Sequence, residues 1–314
     1  MFYLHKENVV ALVGPTGVGK TSLSINLAKR INAEIISTDS MQIYKHMDIG
    51  TAKITKDEMC GVTHHMIDIV SPFVNYSLYN YLKDAKKCAE DIFKRGKNVL
   101  LVGGSGLYVD SFIKNVEFKE ETKAPKIRED LNKLLLEKGK DELFNLLIKE
   151  DKKASEKIHP NNTKRVIRAL EYFYETGESI TDKKDEGSIY NYVYINLQRE
   201  REVLYERIDK RVDEMIKKGL LFEVWHLYKM GLRKTHSSMQ ALGYKEYVKY
   251  LEGKLSLFEC ERIIKRDTRH FAKRQLTWYR NKEDINNINL DNYKNEDEVL
   301  QDILKILTQK GVIK

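Results

Sequence analysis

Three cysteines in 314 residues, Cys60, Cys88 and Cys260, are odd in number and far apart. They form no metal-ligand pair and no disulfide framework, which excludes a stapled secreted scaffold and points to a reducing cytoplasm. No apolar run reaches the length of a membrane span, so membrane residence is not expected. The short stretch 1–6 ahead of the first apolar strand leaves no room for a signal peptide, and a cytoplasmic protein is expected. Internal repeats and low-complexity tracts are also missing, which excludes a repeat array. What remains is a soluble globular composition with 32% charged residues, long enough for about two domains. Lys and Arg together number 55 against 47 for Asp and Glu, a net +8 that permits a polyanionic partner such as nucleic acid.

The clearest chemistry lies at the start. Val9-Val10-Ala11-Leu12-Val13 reads as a buried parallel strand and runs into Gly14-Pro15-Thr16-Gly17-Val18-Gly19-Lys20-Thr21, followed by a helical pattern over 22–29. Strand, Gly-rich loop and helix are the context a phosphate loop needs. The glycines let backbone N–H groups turn around phosphate oxygens, and the helix N-terminus adds partial positive charge. Lys20 reaches the distal phosphates and the Thr21 hydroxyl suits Mg²⁺. Whether the ligand is a nucleoside triphosphate or another pyrophosphate ester stays open at this point.

Further along, 33–37 reads as a second strand that delivers Asp39 near the phosphate loop, at the end of the sheet where ligands bind. A carboxylate there serves as a general base or as a partner for Mg²⁺ and its waters. It serves equally well as a turn or helix-cap residue. Residues 64–69 suggest another strand, on which the adjacent His64 and His65 face opposite ways and so share no metal. A helix is expected over 76–95 and a strand over 98–102, ending in Gly103-Gly104-Ser105-Gly106. No Asp or Glu stands at that tip, where many ATPases hold Mg²⁺. From 117 to 187 strand-like runs give way to charged helical pattern, which suggests a helical insertion. Within it Lys164, Arg165 and Arg168 are spaced to meet one anion, or to form a solvated face. A strand returns over 190–197 and the remainder reads as helical. In the helix around 262–282, Ile264, Phe271 and Trp278 form a stripe expected to be core. Arg262, Arg266, Arg269, Lys273 and Arg280 lie opposite, a one-signed face suited to a phosphate backbone.

These segments, in order, resemble one family. The phosphate loop is followed by Asp39-Ser40-Met41-Gln42-Ile43-Tyr44, Met47-Asp48-Ile49-Gly50-Thr51-Ala52-Lys53 and His64-His65-Met66-Ile67-Asp68. Then come Gly103-Gly104-Ser105-Gly106-Leu107-Tyr108, Ile158-His159-Pro160-Asn161-Asn162 and Ala272-Lys273-Arg274-Gln275-Leu276-Thr277-Trp278. Together they closely resemble the tRNA dimethylallyltransferases of the bacterial type. Such a resemblance implies transfer of a dimethylallyl group from dimethylallyl pyrophosphate to N6 of the adenine 3′-adjacent to the anticodon. It implies an α/β fold: a P-loop NTPase-like parallel sheet core (1–116 and 188–314) with helical C-terminal part, and an insertion domain (117–187) that grips tRNA.

By the same resemblance Gly14, Pro15, Thr16, Gly17, Val18, Gly19, Lys20 and Thr21 hold the donor pyrophosphate, with Mg²⁺ near Thr21 and Asp39 as the general base. The implied tRNA contacts are Asp39, Ser40, Met41 and Gln42, the single positions Ser105 and Arg128, and Lys164, Arg165, Val166, Ile167 and Arg168. To these it adds Gln240, Ala241, Leu242, Gly243, Tyr244 and Lys245, then Asp267, Thr268, Arg269, His270, Phe271, Ala272, Lys273 and Arg274. Ser105 stands where the family usually has Thr, which keeps the hydroxyl. No zinc-finger extension like that of eukaryotic relatives is present, so no metal beyond Mg²⁺ is expected. The expected partners are the tRNA anticodon stem-loop and dimethylallyl pyrophosphate, with no membrane and a monomer as the default. The rival readings are a P-loop kinase for a small metabolite, which leaves the basic helix face without a role, and a non-catalytic nucleotide-dependent RNA-binding module.

Overall fold

The computed structural model describes residues 6–116, 125–182 and 187–313. Six strands form one sheet: β1 (Asn8–Val13), β2 (Ala33–Ser37), β3 (His64–His65), β4 (Asn98–Gly103), β5 (Asn191–Gln198) and β6 (Ile285–Asn289). Their order is β3-β2-β4-β1-β5-β6 and every pair is parallel. The central β1 is apolar almost throughout because both its faces are covered, as a parallel sheet requires. Val10 and Leu12 share a core with α1 (Lys20–Arg30) and α11 (Glu296–Gln309). On α2 (Leu78–Lys94), the buried Tyr81 donates its hydroxyl to Ser37 O at 2.9 Å. α3 (Gly106–Ile113) follows β4 directly.

Helices α7 (Arg201–Lys217), α8 (Leu220–Lys229), α9 (Tyr244–Leu251) and α10 (Leu257–Arg280) follow β5. Their core gathers Val212, Leu220, Val224, Tyr244, Tyr247 and Ile264. Glycines with left-handed backbone stand beyond the ends of α7 and α8, Gly219 at φ 98° and Gly231 at φ 103°. α10 starts five residues before the expected stretch because Ser256 and Glu259 form a capping box.

Residues Met1–Lys114 and Ser188–Lys314 make one compact unit and Asn115–Gly187 a second. The boundary expected at 117 lies outside the described residues. The second unit holds α4 (Pro125–Glu150), broken at Gly139 (φ 81°), with α5 (Lys152–Lys157) and α6 (Thr163–Thr176). Its core contains Leu131, Leu143, Leu147, Val166 and Leu170. Among the described residues no helix is long and apolar enough to cross a membrane.

Two strand expectations change. The run 64–69 is extended only at His64 and His65, since Met66 (φ 64°) and Asp68 (φ 55°) adopt left-handed backbone. β6 was not expected at all, because Asn is a poor strand former. It is held to β5 by side-chain amides: Asn196 Nδ2 and Gln198 Nε2 donate to Asn287 Oδ1 at 2.8 and 2.9 Å, and Asn286 Nδ2 donates to Tyr194 O at 2.9 Å.

His65 also faces away from His64, onto the buried Glu34 of β2. Glu34 accepts from His65 Nε2 (2.7 Å), Arg95 Nη2 (2.7 Å) and Lys97 Nζ (2.9 Å). Burial pushes this carboxyl up, but the bonds from His65, Lys97 and Arg95 outweigh it and hold it down to about 2. A carboxyl depressed from 4.5 contributes stability that is complete above 4.5 and is lost as pH falls towards about 2. Glu34→Gln is therefore expected to lose roughly 1–3 kcal/mol at neutral pH. Urea midpoints measured between pH 7 and 2 should show a steeper acid decline in the original chain than in the variant. Parallel curves would remove Glu34 from the acid response.

Candidate active site

The loop between β1 and α1 needs its glycines. Gly14 (φ 145°), Gly17 (φ 82°) and Gly19 (φ 116°) occupy left-handed backbone, and a Cβ on Gly14 would meet Leu197 O at 2.6 Å. Cations hold the loop carbonyls. Lys20 Nζ donates to Gly14 O and Pro15 O at 2.8 Å each, Arg207 Nε to Gly17 O at 2.9 Å, and Arg199 Nε to Val18 O at 3.0 Å. The Thr16 N–H donates to Gln275 Oε1 of α10 at 2.9 Å. α1 has no acidic residue in its first turn and no side-chain cap, so its N-terminal amides and dipole are left for an anion.

This loop lines a cleft of about 800 Å³ together with Asp39, Gln42, Arg207, Lys210, Arg211 and Gln275. Desolvation pushes the Lys20 amine down to about 7, and the Arg211 charge adds to this against the opposing pull of Asp39. Desolvation lowers Arg211 as well, again with Asp39 opposing. Lys20, Arg207, Lys210 and Arg211 line the cleft beside the carboxylates Asp39, Glu58 and Glu214, and the cations at the loop suit a polyanion. Asp39 follows β2; its Oδ1 accepts from Met41 N at 2.8 Å, and among the described residues none donates to its Oδ2. Asp39 thus shapes a turn and lines the cleft.

The segment after Met47, quoted in the sequence without a physical role, forms a wall of this cleft through Thr51, Ala52 and Ile54. Gln42 Nε2 donates to Thr51 O and Ala52 O at 3.2 and 3.4 Å. Glu223 of α8 accepts from Asp48 N (2.8 Å), Ile49 N (2.8 Å), Gly50 N (3.1 Å) and Tyr244 Oη (2.5 Å). His64 lines the cleft with Nδ1 on Val62 O at 2.9 Å.

The other sequence-expected residues distribute unevenly. Ser40, Met41 and Gln42 follow Asp39 and are half-buried, and Ser105 stands just before α3, immediately after Gly104, without a side-chain capping bond. On α10, His270, Lys273 and Arg274 are exposed. Phe271 lines the cleft, and Thr268 bonds back to Ile264 O at 2.7 Å. Arg269 donates to both oxygens of Asp209 at 2.5 and 2.7 Å, and Asp267 pairs with Arg266 at 2.9 Å. In the second unit Lys164 and Arg165 are exposed at the start of α6, with Arg168 half-buried beside them.

Val166, Ile167, Ala241, Tyr244 and Ala272 are buried, and their side chains pack cores. Gly243 is buried too and serves the turn at φ 89°, while Leu242 and Lys245 are half-buried and Gln240 is exposed. Arg128 is engaged by both oxygens of the buried Glu171 through Nε and Nη2. The expected core stripe of α10 also shifts. Ile264 is buried, but Phe271 faces the cleft and Trp278 is 46% exposed, with Nε1 donating to Asp110 at 3.0 Å. The buried side is Cys260, Ile264, Ala272, Gln275 and Tyr279, because α10 lies between a core and the cleft.

The sequence reading missed Arg199, Arg207, Lys210, Arg211 and Gln275. Arg207 and Arg211 stand four apart on one face of α7, a signal that was available, and Gln275 sits inside a quoted motif.

Comparison with known proteins decides the family. A model described as IPP transferase matches residues 42–282. The tRNA dimethylallyltransferase of Lachnoclostridium phytofermentans is 47% identical over 98% of this chain and 100% of its own. The chain belongs to the tRNA dimethylallyltransferase (IPP transferase) family. The enzyme of that name from Clostridioides difficile is 47% identical over 96% of this chain and 97% of its own. A solved tRNA isopentenylpyrophosphate transferase from Bacillus halodurans matches with a TM-score of 0.72 and 44% identity, covering 98% of both chains. A eukaryotic dimethylallyltransferase, solved acting on tRNA, matches with a TM-score of 0.80 and 28% identity over 96% of this chain and 80% of its own. Membership of a tRNA dimethylallyltransferase family sets aside the kinase and non-catalytic readings. The P-loop NTPase-like parallel core is the fold shared with these transferases.

Proposed function

We propose that this chain transfers the dimethylallyl group of dimethylallyl pyrophosphate to N6 of the adenine 3′-adjacent to the anticodon of tRNA. The observation that carries the reading is the placement of Asp39, with Oδ2 open, in the same cleft as the phosphate loop and the Lys20–Arg211 cation pair. In this reaction the N6–C1 bond forms, the C1–O bond to pyrophosphate breaks, and the electron pair leaves with the pyrophosphate. Asp39 takes the N6 proton, which an amine of such weak nucleophilicity must lose as it attacks. Loop amides, Lys20 and Arg211 stabilise the leaving group. The adenine leaves its stack to reach the cleft, which suits a loop nucleotide.

Among the described residues no cluster of three or more His, Cys, Asp or Glu could hold a metal. The exposed Thr21 hydroxyl at the cleft nevertheless fits Mg²⁺, which keeps waters and substrate phosphates as most of its ligands. Thr21 would hold it, and its chemistry there is neutralisation of pyrophosphate charge. The exposed cations of α10 and Lys164, Arg165 and Arg168 of the second unit grip the anticodon stem-loop in this reading. The free thiols of Cys60, Cys88 and Cys260 fit a cytoplasmic enzyme.

Incubating the chain with labelled dimethylallyl pyrophosphate, Mg²⁺ and unmodified tRNA is expected to place label on that adenine. Absence of label in tRNA, with ATP-dependent phosphorylation of a small molecule instead, would overturn the reading.

A further inference from the structure

Of the stripe expected to be core on α10, Ile264 packs, Phe271 lines the cleft, and Trp278 does neither in full. Phe271 and Trp278 stand seven residues apart, two helical turns and about 10 Å along one side of α10. The Arg274 guanidinium lies between them in sequence, 5.6 Å from the Phe271 ring centre. Trp278 is half-exposed yet firmly held. Its Nε1 donates to Asp110 Oδ2 at 3.0 Å, and Asp110 Oδ1 accepts from Tyr194 Oη at 2.8 Å and from Lys282 Nζ at 2.7 Å. The indole also leans on Gly106, where a Cβ would stand 2.3 Å from its Cδ1 and Nε1. Packing alone does not account for an indole fixed this way with nearly half its surface open. Beside it runs a surface groove of about 460 Å³ lined by Lys273, Arg274, Thr277, Trp278 and Asn281. Arg266 and Arg269, earlier on α10, pair with Asp267 and Asp209. Lys273 and Arg274 have no acidic partner among the described residues, and the Asn281 carboxamide has no hydrogen-bond partner among them.

We propose that Trp278 is a stacking platform for one unpaired base of the anticodon loop, with Lys273 and Arg274 taking the adjoining phosphates and Asn281 the base edge. A loop that gives up one base to the cleft leaves the neighbouring base without a stacking partner. An indole face replaces that partner whatever the base, because every base has a π-face. Unpaired cations alone suit any anion, and the fixed ring beside them selects one that carries flat bases. A platform already anchored through Asp110 and Gly106 loses little freedom when the base arrives. This inference rests on the reading of α10 as a tRNA-facing helix, and it adds a nucleotide subsite outside the cleft.

Fluorescence of the full chain tests it, with an unmodified anticodon stem-loop RNA as probe. The sequence has two tryptophans, so Trp225→Phe leaves Trp278 as the one indole. Binding of the stem-loop is expected to quench the Trp278 emission. Stem-loops in which one loop base at a time is replaced by an abasic residue should lose the quench at a single position flanking the target adenine. Binding there should weaken by about tenfold. Trp278→Ala should weaken binding of the intact stem-loop by a similar factor without changing its salt slope, whereas Lys273→Ala should reduce that slope by about one. Binding that leaves Trp278 emission unchanged, or a quench indifferent to which base is missing, overturns the inference. A chain that binds no stem-loop overturns the tRNA reading of α10 itself, and this subsite with it.

Discussion

Asp39→Ala is expected to slow prenyl transfer by about 10²–10⁴-fold, the usual worth of a positioned general base. The tRNA affinity should stay within about twofold, since contacts to the phosphate backbone, which a carboxylate does not make, dominate that affinity. Asp39 does two things: Oδ1 accepts from Met41 N at 2.8 Å, and the residue lines the cleft. Alanine removes both, so Asp39→Asn is the sharper variant. It keeps an acceptor for Met41 and hence the turn, but its amide cannot take a proton from N6. Single-turnover rates and tRNA binding, measured on both variants, separate the roles. An asparagine variant that turns over normally would remove the base from the mechanism. Parallel losses of rate and tRNA affinity would make Asp39 a residue of the turn alone.

The phosphate loop was legible because its requirement is local: left-handed backbone at Gly14, Gly17 and Gly19 admits little besides glycine, and the flanking strand and helix follow from apolar spacing. β2, β4 and β5 were legible for the same reason, as short apolar runs buried on both faces. What failed to show depends on neighbours distant in sequence. Arg207 and Arg199 acquire meaning only when α7 and the turn before it lie along the loop carbonyls of Gly17 and Val18. β6 is an asparagine strand whose stability comes from amide bonds to β5, so no propensity marks it. α10 buries one side against a core and turns Phe271 to the cleft, and a single-stripe reading cannot separate those sides.

The segment 47–53 makes the same point from the opposite direction. Its residues looked like a motif without chemistry, and its chemistry is structural. Glu223 gathers the amides of Asp48, Ile49 and Gly50, and Tyr244 and Leu220 press so closely on Gly50 that no side chain fits there. Tyr244, which the family resemblance names as a tRNA contact, also completes the Glu223 cluster with its buried hydroxyl. A family motif records both kinds of necessity without distinguishing them.

Lys20 carries the second large effect. Lys20→Ala is expected to lower kcat/KM for the donor by about 10²–10³-fold, as removal of a group that stabilises a developing anion does. The amine also gives that loss a pH signature. Desolvation and the Arg211 charge push it down to about 7 before the donor binds. Only the charged amine attracts pyrophosphate, so kcat/KM for the donor should fall as pH rises through about 7, where Lys20 loses its proton. Lys20→Arg keeps a cation that stays protonated over this range and should abolish the alkaline decline even where its absolute rate is lower. Initial rates at limiting donor and saturating tRNA, between pH 6 and 9, decide the matter. An alkaline limb that persists unchanged in Lys20→Arg would assign the titration to another group and leave Lys20 as a strap on the carbonyls of Gly14 and Pro15.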